Sequence, residues 1–288
     1  MENCQRGAQH YPHWMATENQ LREQLKTLTG AHSTDEIAFA KSTSEALSFV
    51  AYGLQWRAAD EVLICDQEFP SNRIVWESLE DRFAVKTIRV SFNDDEEPEQ
   101  TLLAAVTEKT RLVSVSSVQY GTGLKLNLSK LGKALRQKQV LFCVDAIQSL
   151  GICPVNVEEE CIDFLMADGH KWLLGPEGLA VFYVRKDCQP LLSLSEFGWH
   201  MVKHRGDYSR EDWQIAEDAT RFECGSPNMV AVHALNASLT LILQVGIERI
   251  NQLITANIQT LKEKLAGIKG LRLITPAAAA RSAGSLTF

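Results

Sequence analysis

The chain has 288 residues, 45% of them hydrophobic, and a net charge of −7. That apolar fraction can fill a large core, in one large domain or in a large one beside a small one, while the acidic balance excludes the basic footprint of a nucleic-acid binder. No run of 18 apolar residues and no basic-then-apolar start marks a membrane span or a signal peptide.

In chain order, residues 1–30 are polar and aromatic with no strand pattern, and read as an N-terminal helical segment. "KSTSEAL" at 41–47 opens an amphipathic helix, with Ala46, Leu47, Val50 and Leu54 on one face. "EVLICD" (61–66) reads as a buried strand, and "NDDEEPEQ" (93–100) as a solvated loop. Further strands are predicted at 111–118, 140–146, 163–167 and 179–185, with a helix at 128–138 carrying Leu128, Leu131 and Leu135. The strand runs are continuously apolar, as in strands covered on both faces. From 247, Ile247, Ile250, Ile254, Ile258, Leu261 and Leu265 keep helical spacing. The last stretch, "SAGSLTF", begins like a strand, so the chain is expected to be a fragment. This alternation predicts an α/β fold with a mostly parallel central sheet flanked by helices.

Seven cysteines, at 4, 65, 143, 153, 161, 188 and 224, form no CxxC pair. An odd, scattered set argues against a disulfide framework or a zinc knuckle and fits a reducing cytoplasm. Those inside apolar strands are expected to be inert core residues.

Ligands of open α/β sheets bind at the carboxyl ends of the strands, and four features fall there. Asp145 closes "VLFCV" and is either a helix cap or a functional carboxylate. Gln148 stands in the same turn. Ser42, Thr43 and Ser44 precede the first amphipathic helix; one hydroxyl caps it, and the others are free to serve an anion at the helix start. Lys171 follows a strand end, held in a compact loop by Gly175-Pro176. Alone, it reads more simply as a salt-bridge partner than as a nucleophile. Together the four supply what an aldehyde cofactor with a phosphate and a pyridine nitrogen requires: an amine, a carboxylate for the ring nitrogen and an anion site. Such an amine must lose its proton well below the usual lysine value of about 10.4, through burial or neighbouring cations.

The segment "VDAIQSLGICPVNVEEECIDFLMADGHKWLLGPEGLAVFYVRKD", with Asp145 and Lys171 26 residues apart, resembles the cofactor segment of the class V aminotransferase family. That family includes cysteine desulfurases, selenocysteine lyases and isopenicillin N epimerase-like proteins. "EIAFAKSTSEALSFVAYGL", "DQEFPSNRIVW", "SVSSVQYGTG" and "RFECGSPN" extend the likeness over most of the chain. The resemblance implies the large domain of a fold-type I pyridoxal-phosphate transferase over 31–245. It implies a linking helix and the start of a truncated small domain over 246–288.

It further implies pyridoxal 5′-phosphate as the cofactor and Lys171 as the Schiff-base former and Cα proton carrier. Asp145 would face the ring nitrogen and Gln148 the ring oxygen. Thr43, Ser44 and His170 would hold the phosphate. Phe69 stands where relatives stack a histidine, so it can cover the ring but cannot move a proton. Asp168 stands where desulfurases have a phosphate-binding serine. The place of the asparagine often found near the cofactor falls to Gln119 or Tyr120. Ser226 would reach the phosphate of a partner subunit in a homodimer with shared sites, with Arg221 and Glu223 holding that loop's shape. No metal site and no nucleic-acid or membrane partner is expected. The implied activity is on an amino acid, of the generic aminotransferase or epimerase-like branch. The alternatives are a cysteine desulfurase or selenocysteine lyase, and a non-catalytic fragment that keeps the fold.

Overall fold

The computed structural model describes residues 2–92 and 97–288. A short helix α1 (Glu2–Arg6) and a long one, α2 (Tyr11–Thr29), lead to β1 (Ile37–Ala40) and α3 (Thr43–Gly53). Strands and helices then alternate: β2 (Glu61–Cys65), α4 (Ser71–Phe83), β3 (Lys86–Val90), α5 (Pro98–Ala104), β4 (Thr110–Ser116), α6 (Leu128–Gln137) and β5 (Leu141–Asp145). β6 (Phe164–Asp168), β7 (Ala180–Val184), α7 (Met229–Val245) and α8 (Ile247–Ala266) complete the order.

The seven strands form one sheet in the order β1-β7-β6-β5-β4-β2-β3. β3, β2, β4, β5 and β6 run parallel, and β7 is antiparallel to both β6 and β1. The expected mostly parallel α/β fold is therefore what the chain adopts. Because successive strand residues face opposite sides, the apolar runs feed two cores. Leu63, Val113, Val144 and Leu165 pack with Leu21 and Leu25 of α2, Leu131 of α6 and Leu235 of α7. Val62, Ile64, Cys143 and Phe164 pack on the other side with Leu47 and Val50 of α3 and Trp76 of α4.

Two expectations change. Asn93–Glu96, half of the acidic run, lie outside the described residues, but Pro98–Ala104 is helix rather than solvated loop. Glu99 there is fully buried, receiving the Asn127 N–H at 2.7 Å and pairing with Arg281. The closing "SAGSLTF" is not a strand. It is an irregular segment in which Thr287 O accepts from Ile274 and Thr275, and a Cβ on Gly284 would meet the Trp172 ring at 2.5 Å. α8 forms as expected, but its apolar stripe is only half covered, with Leu261 exposed.

All seven thiols are free, and Cys65, Cys143, Cys153 and Cys188 are buried. Burial pushes the Cys188 thiol up to about 12, which suppresses the reactive thiolate. Among the described residues, no single helix is long and apolar enough to cross a membrane.

Candidate functional site

The carboxyl ends of β4, β5 and β6 converge with the first turn of α3. Asp145 ends β5 and is 2% exposed. Its Oδ1 accepts the Ile147 N–H at 3.0 Å, and no ion pair compensates it among the described residues. Burial pushes its carboxyl up to about 7; the Ile147 N–H opposes this, Glu68 adds to it, and the positive charge of Lys171 opposes it.

Lys171 is half-buried. Among the described residues it forms no ion pair, so the simple salt-bridge reading of this lysine finds no acid. Its ammonium lies 5.9 Å from the centroid of the Phe69 ring, a cation–π distance. The loop around it is closed by backbone: Gly169 N–H donates to Leu179 O, Gly175 N–H to Gly169 O, and Leu174 N–H to Lys171 O.

One glycine on a neighbouring turn supports this loop. Gly151 has φ +103°, and a Cβ there would sit 2.4 Å from the Trp172 carbonyl. Gly151→Ala therefore combines backbone strain with a steric clash one residue from Lys171. It is expected to cost roughly 2–4 kcal/mol in denaturant unfolding.

At the other end of the site, Asp168 and Thr43 bond reciprocally. The Thr43 N–H donates to Asp168 Oδ2 and the Asp168 N–H to Thr43 Oγ1, both at 3.1 Å. The Asp168 Oδ1 lies 3.9 Å from His170 Nδ1. Of the three adjacent hydroxyls, Ser42 is the cap, accepting the Glu45 N–H at 3.2 Å, and Ser44 donates to Ser71 at 2.9 Å. Gln148 is half-buried in the turn after β5, with no hydrogen bond to protein among the described residues.

Phe69 is 44% exposed and meets the Tyr120 ring edge-on, with centroids 5.1 Å apart. Gln119 and Tyr120 differ in exposure. Gln119 is fully buried and donates to Glu68 at 2.7 Å, whereas Tyr120 is exposed beside Phe69.

Glu68 is a residue that the sequence reading passed over. It is buried and accepts from Ser116 N, Gln119 Nε2 and Asn72 Nδ2 at 2.7 to 2.9 Å, and from the Ser116 hydroxyl. Burial pushes its carboxyl up and these donors pull it down. The network ties the start of α4 to the end of β4 and fixes the backbone that carries Phe69. The available signal was the i, i+4 pair of Glu68 and Asn72 flanking an aromatic residue.

Ser226 does not join this cluster within the chain. It lines a cavity of about 440 Å³ with Lys41, Glu45, Gly178, Cys224 and Asn228. Its loop is anchored through Glu223, whose Oε1 accepts from Arg22 at 2.7 Å and from the Phe39 N–H at 2.9 Å. Arg22 also pairs with Glu18 at 2.8 Å. Arg221 keeps a buried Nε without a partner among the described residues, so Glu223 rather than Arg221 is the anchor. Glu18, His200 and Glu223 lie close enough to resemble a metal triad. However, Arg22 and Arg205 already balance both carboxylates.

Comparison with known proteins gives a consistent result. The family described as aminotransferase class V matches residues 2–288. A probable cysteine desulfurase of Pyrococcus abyssi is 31% identical over 223 residues, 76% of this chain and 54% of that protein. One of Methanothermobacter thermautotrophicus is 32% identical, covering 81% of this chain and 57% of that protein. An uncharacterized aminotransferase of Bacillus subtilis, YcbU, is 32% identical over 80% of this chain and 60% of its own length. The chain thus spans little more than half the length of these relatives. Among solved structures, the apo cysteine desulfurase of Thermococcus onnurineus superposes with a TM-score of 0.85 at 26% identity. That match covers 96% of this chain and 69% of that one. The cystine C–S lyase C-DES in complex with cysteine persulfide superposes with a TM-score of 0.88 at 24% identity, which speaks to fold alone.

Proposed function

Because the chain belongs to the class V aminotransferase family of pyridoxal-phosphate enzymes, we propose that it holds this cofactor between Asp145 and Lys171 and acts on the Cα substituents of an amino acid. The observation that carries the reading is Asp145: a buried carboxylate, without a cationic partner among the described residues, at the end of a central strand. A protonated pyridine nitrogen is the kind of cation that such an acid lacks. Lys171 supplies an amine on the loop that follows the next strand, and the exposed Phe69 ring supplies an aromatic face. The ring end of the cofactor fits these residues.

When bound, pyridoxal phosphate supplies an electron sink for breaking a bond at Cα. Asp145 would keep the ring nitrogen protonated and Gln148 would address the ring oxygen. Lys171 would anchor the cofactor and carry the proton to and from Cα. Phe69 can cover the ring and exclude water, but it transfers no proton. Proton movement at the reacting carbon therefore falls to Lys171. Chemistry that one proton carrier can serve, such as transamination, suits this set best.

The relatives named as cysteine desulfurases support a second reading, cleavage of the carbon–sulfur bond of cysteine. A screen of L-cysteine, L-cystine and L-alanine against a keto-acid acceptor separates the two. Keto acid formed without sulfide supports the first reading; sulfide as the dominant product replaces it with the second. Ser226, lining a cavity that no other candidate residue of its own chain lines, supports a homodimer with shared sites. Seven free thiols suit the cytoplasm.

A further inference from the structure

The first turn of α3 is where an anion would be held, because its N–H groups point out of the helix and the dipole favours negative charge. The chain has already spent most of those donors. The Thr43 N–H goes to Asp168 Oδ2, the Glu45 N–H to Ser42 Oγ, and the Ala46 N–H to Ser42 O. Ser44 alone keeps an N–H that no protein acceptor takes among the described residues. Its hydroxyl is engaged with Ser71.

Asp168 is not placed there loosely. Its side chain is 12% exposed, and its own N–H bonds back to Thr43 Oγ1. The cations that could offset it are few. His170 Nδ1 stands 3.9 Å from Oδ1, whereas Lys41 at the head of α3 is exposed and paired with Glu45 at 2.7 Å. The negative charge of Asp168 also reaches Asp145.

We propose that Asp168 is a built-in occupant of the anion site at the start of α3, and that it makes the cofactor's phosphate a weak anchor in this chain. The inference rests on the pyridoxal-phosphate reading. A phosphate entering this turn meets a carboxylate that holds the Thr43 N–H, so it must either displace that carboxylate or lie against a like charge. The chain then relies on the ring end, Asp145 and Lys171, to retain its cofactor, and the cofactor exchanges with solution more readily than a phosphate-anchored one would.

The test uses two probes without an aldehyde, so that Lys171 forms no bond to them: 4-deoxypyridoxine and its 5′-phosphate. Binding is followed by tryptophan fluorescence, with Trp172 beside the site, in the unchanged protein, Asp168→Ser and Asp168→Asn. The Asn variant keeps an oxygen for the Thr43 N–H, so helix capping and folding are preserved while the charge is lost. Both variants are expected to bind the 5′-phosphate at least about tenfold more tightly, with the non-phosphorylated probe changed less than about twofold. Equal or weaker binding of the 5′-phosphate by Asp168→Asn overturns the inference and makes Asp168 a support of the phosphate site. If neither probe binds any of the three proteins, the cofactor reading itself fails and the inference falls with it.

Discussion

Replacement of Lys171 by alanine is expected to abolish the visible absorbance that a lysine-bound pyridoxal phosphate gives, and to lower turnover by at least about 10⁴-fold. The structure leaves Lys171 without a carboxylate partner among the described residues, half-buried, in a loop fixed by three backbone hydrogen bonds. Removing the amine therefore deletes no ion pair, and Lys171→Ala is expected to unfold within about 1 kcal/mol of the unchanged protein. That separation is what makes the experiment decisive. A structural lysine would lose stability and keep the band; a cofactor-bearing lysine loses the band and keeps stability. Survival of the band in the alanine protein, at saturating cofactor, would assign the amine role to another residue.

Asp145→Asn is expected to act in opposite directions on stability and on activity. The carboxyl is held at about 7 instead of 3.8 because the fold buries it without a compensating cation. A raised carboxyl favours the folded state while it stays protonated. Its contribution is complete below about pH 4 and is lost as pH rises through 7, a swing of roughly 4 kcal/mol at most. Cofactor-free protein should therefore melt at lower temperature at pH 8 than at pH 5.5, and Asp145→Asn should flatten that dependence. Cofactor should restore the unchanged protein at pH 8, because a protonated ring nitrogen gives the carboxylate its missing cation. It should restore the Asn variant less. Turnover of the variant is expected to fall on the order of 10²–10³-fold, since a neutral amide no longer stabilises positive charge on the ring. Identical melting profiles for the two cofactor-free proteins would show that Asp145 is not a buried charge at all.

Some of this was legible from residues alone, for physical reasons. Asp145 and Lys171 follow strands that are apolar along their whole length, and the period-two exposure of a sheet forces such strand ends to the rim where ligands bind. The helix start at 42–44 is marked by its hydroxyls, but they do not tell that Thr43 is taken up by Asp168, a residue brought across from β6. β1 escaped notice because four residues give too short a pattern. β3 escaped because it is an edge strand, with Lys86 and Arg89 exposed. α5 was hidden behind its acidic composition, since nothing in the local sequence tells Glu99 that Arg281 will meet it. The Glu68 network draws on three separate segments, and only folding places Asn72, Ser116 and Gln119 around one carboxylate.

The pairing of β1 with β7 also sets the order in which the molecule can be made. Ile37 pairs with Tyr183 and Ala40 with Ala180, and Thr43 meets Asp168 across a separation of 125 residues. At translation speeds of 5–20 residues per second, β1 waits roughly 7–30 s for its partner to leave the ribosome. During that time Ile37 and Phe39, both buried in the finished sheet, lack the strand that covers their edge. The parallel strands β2 to β6 are all synthesised within that interval. The first strand of the sheet in sequence is thus added only after β7 has emerged, although Asp168, the partner of Thr43, is made before it.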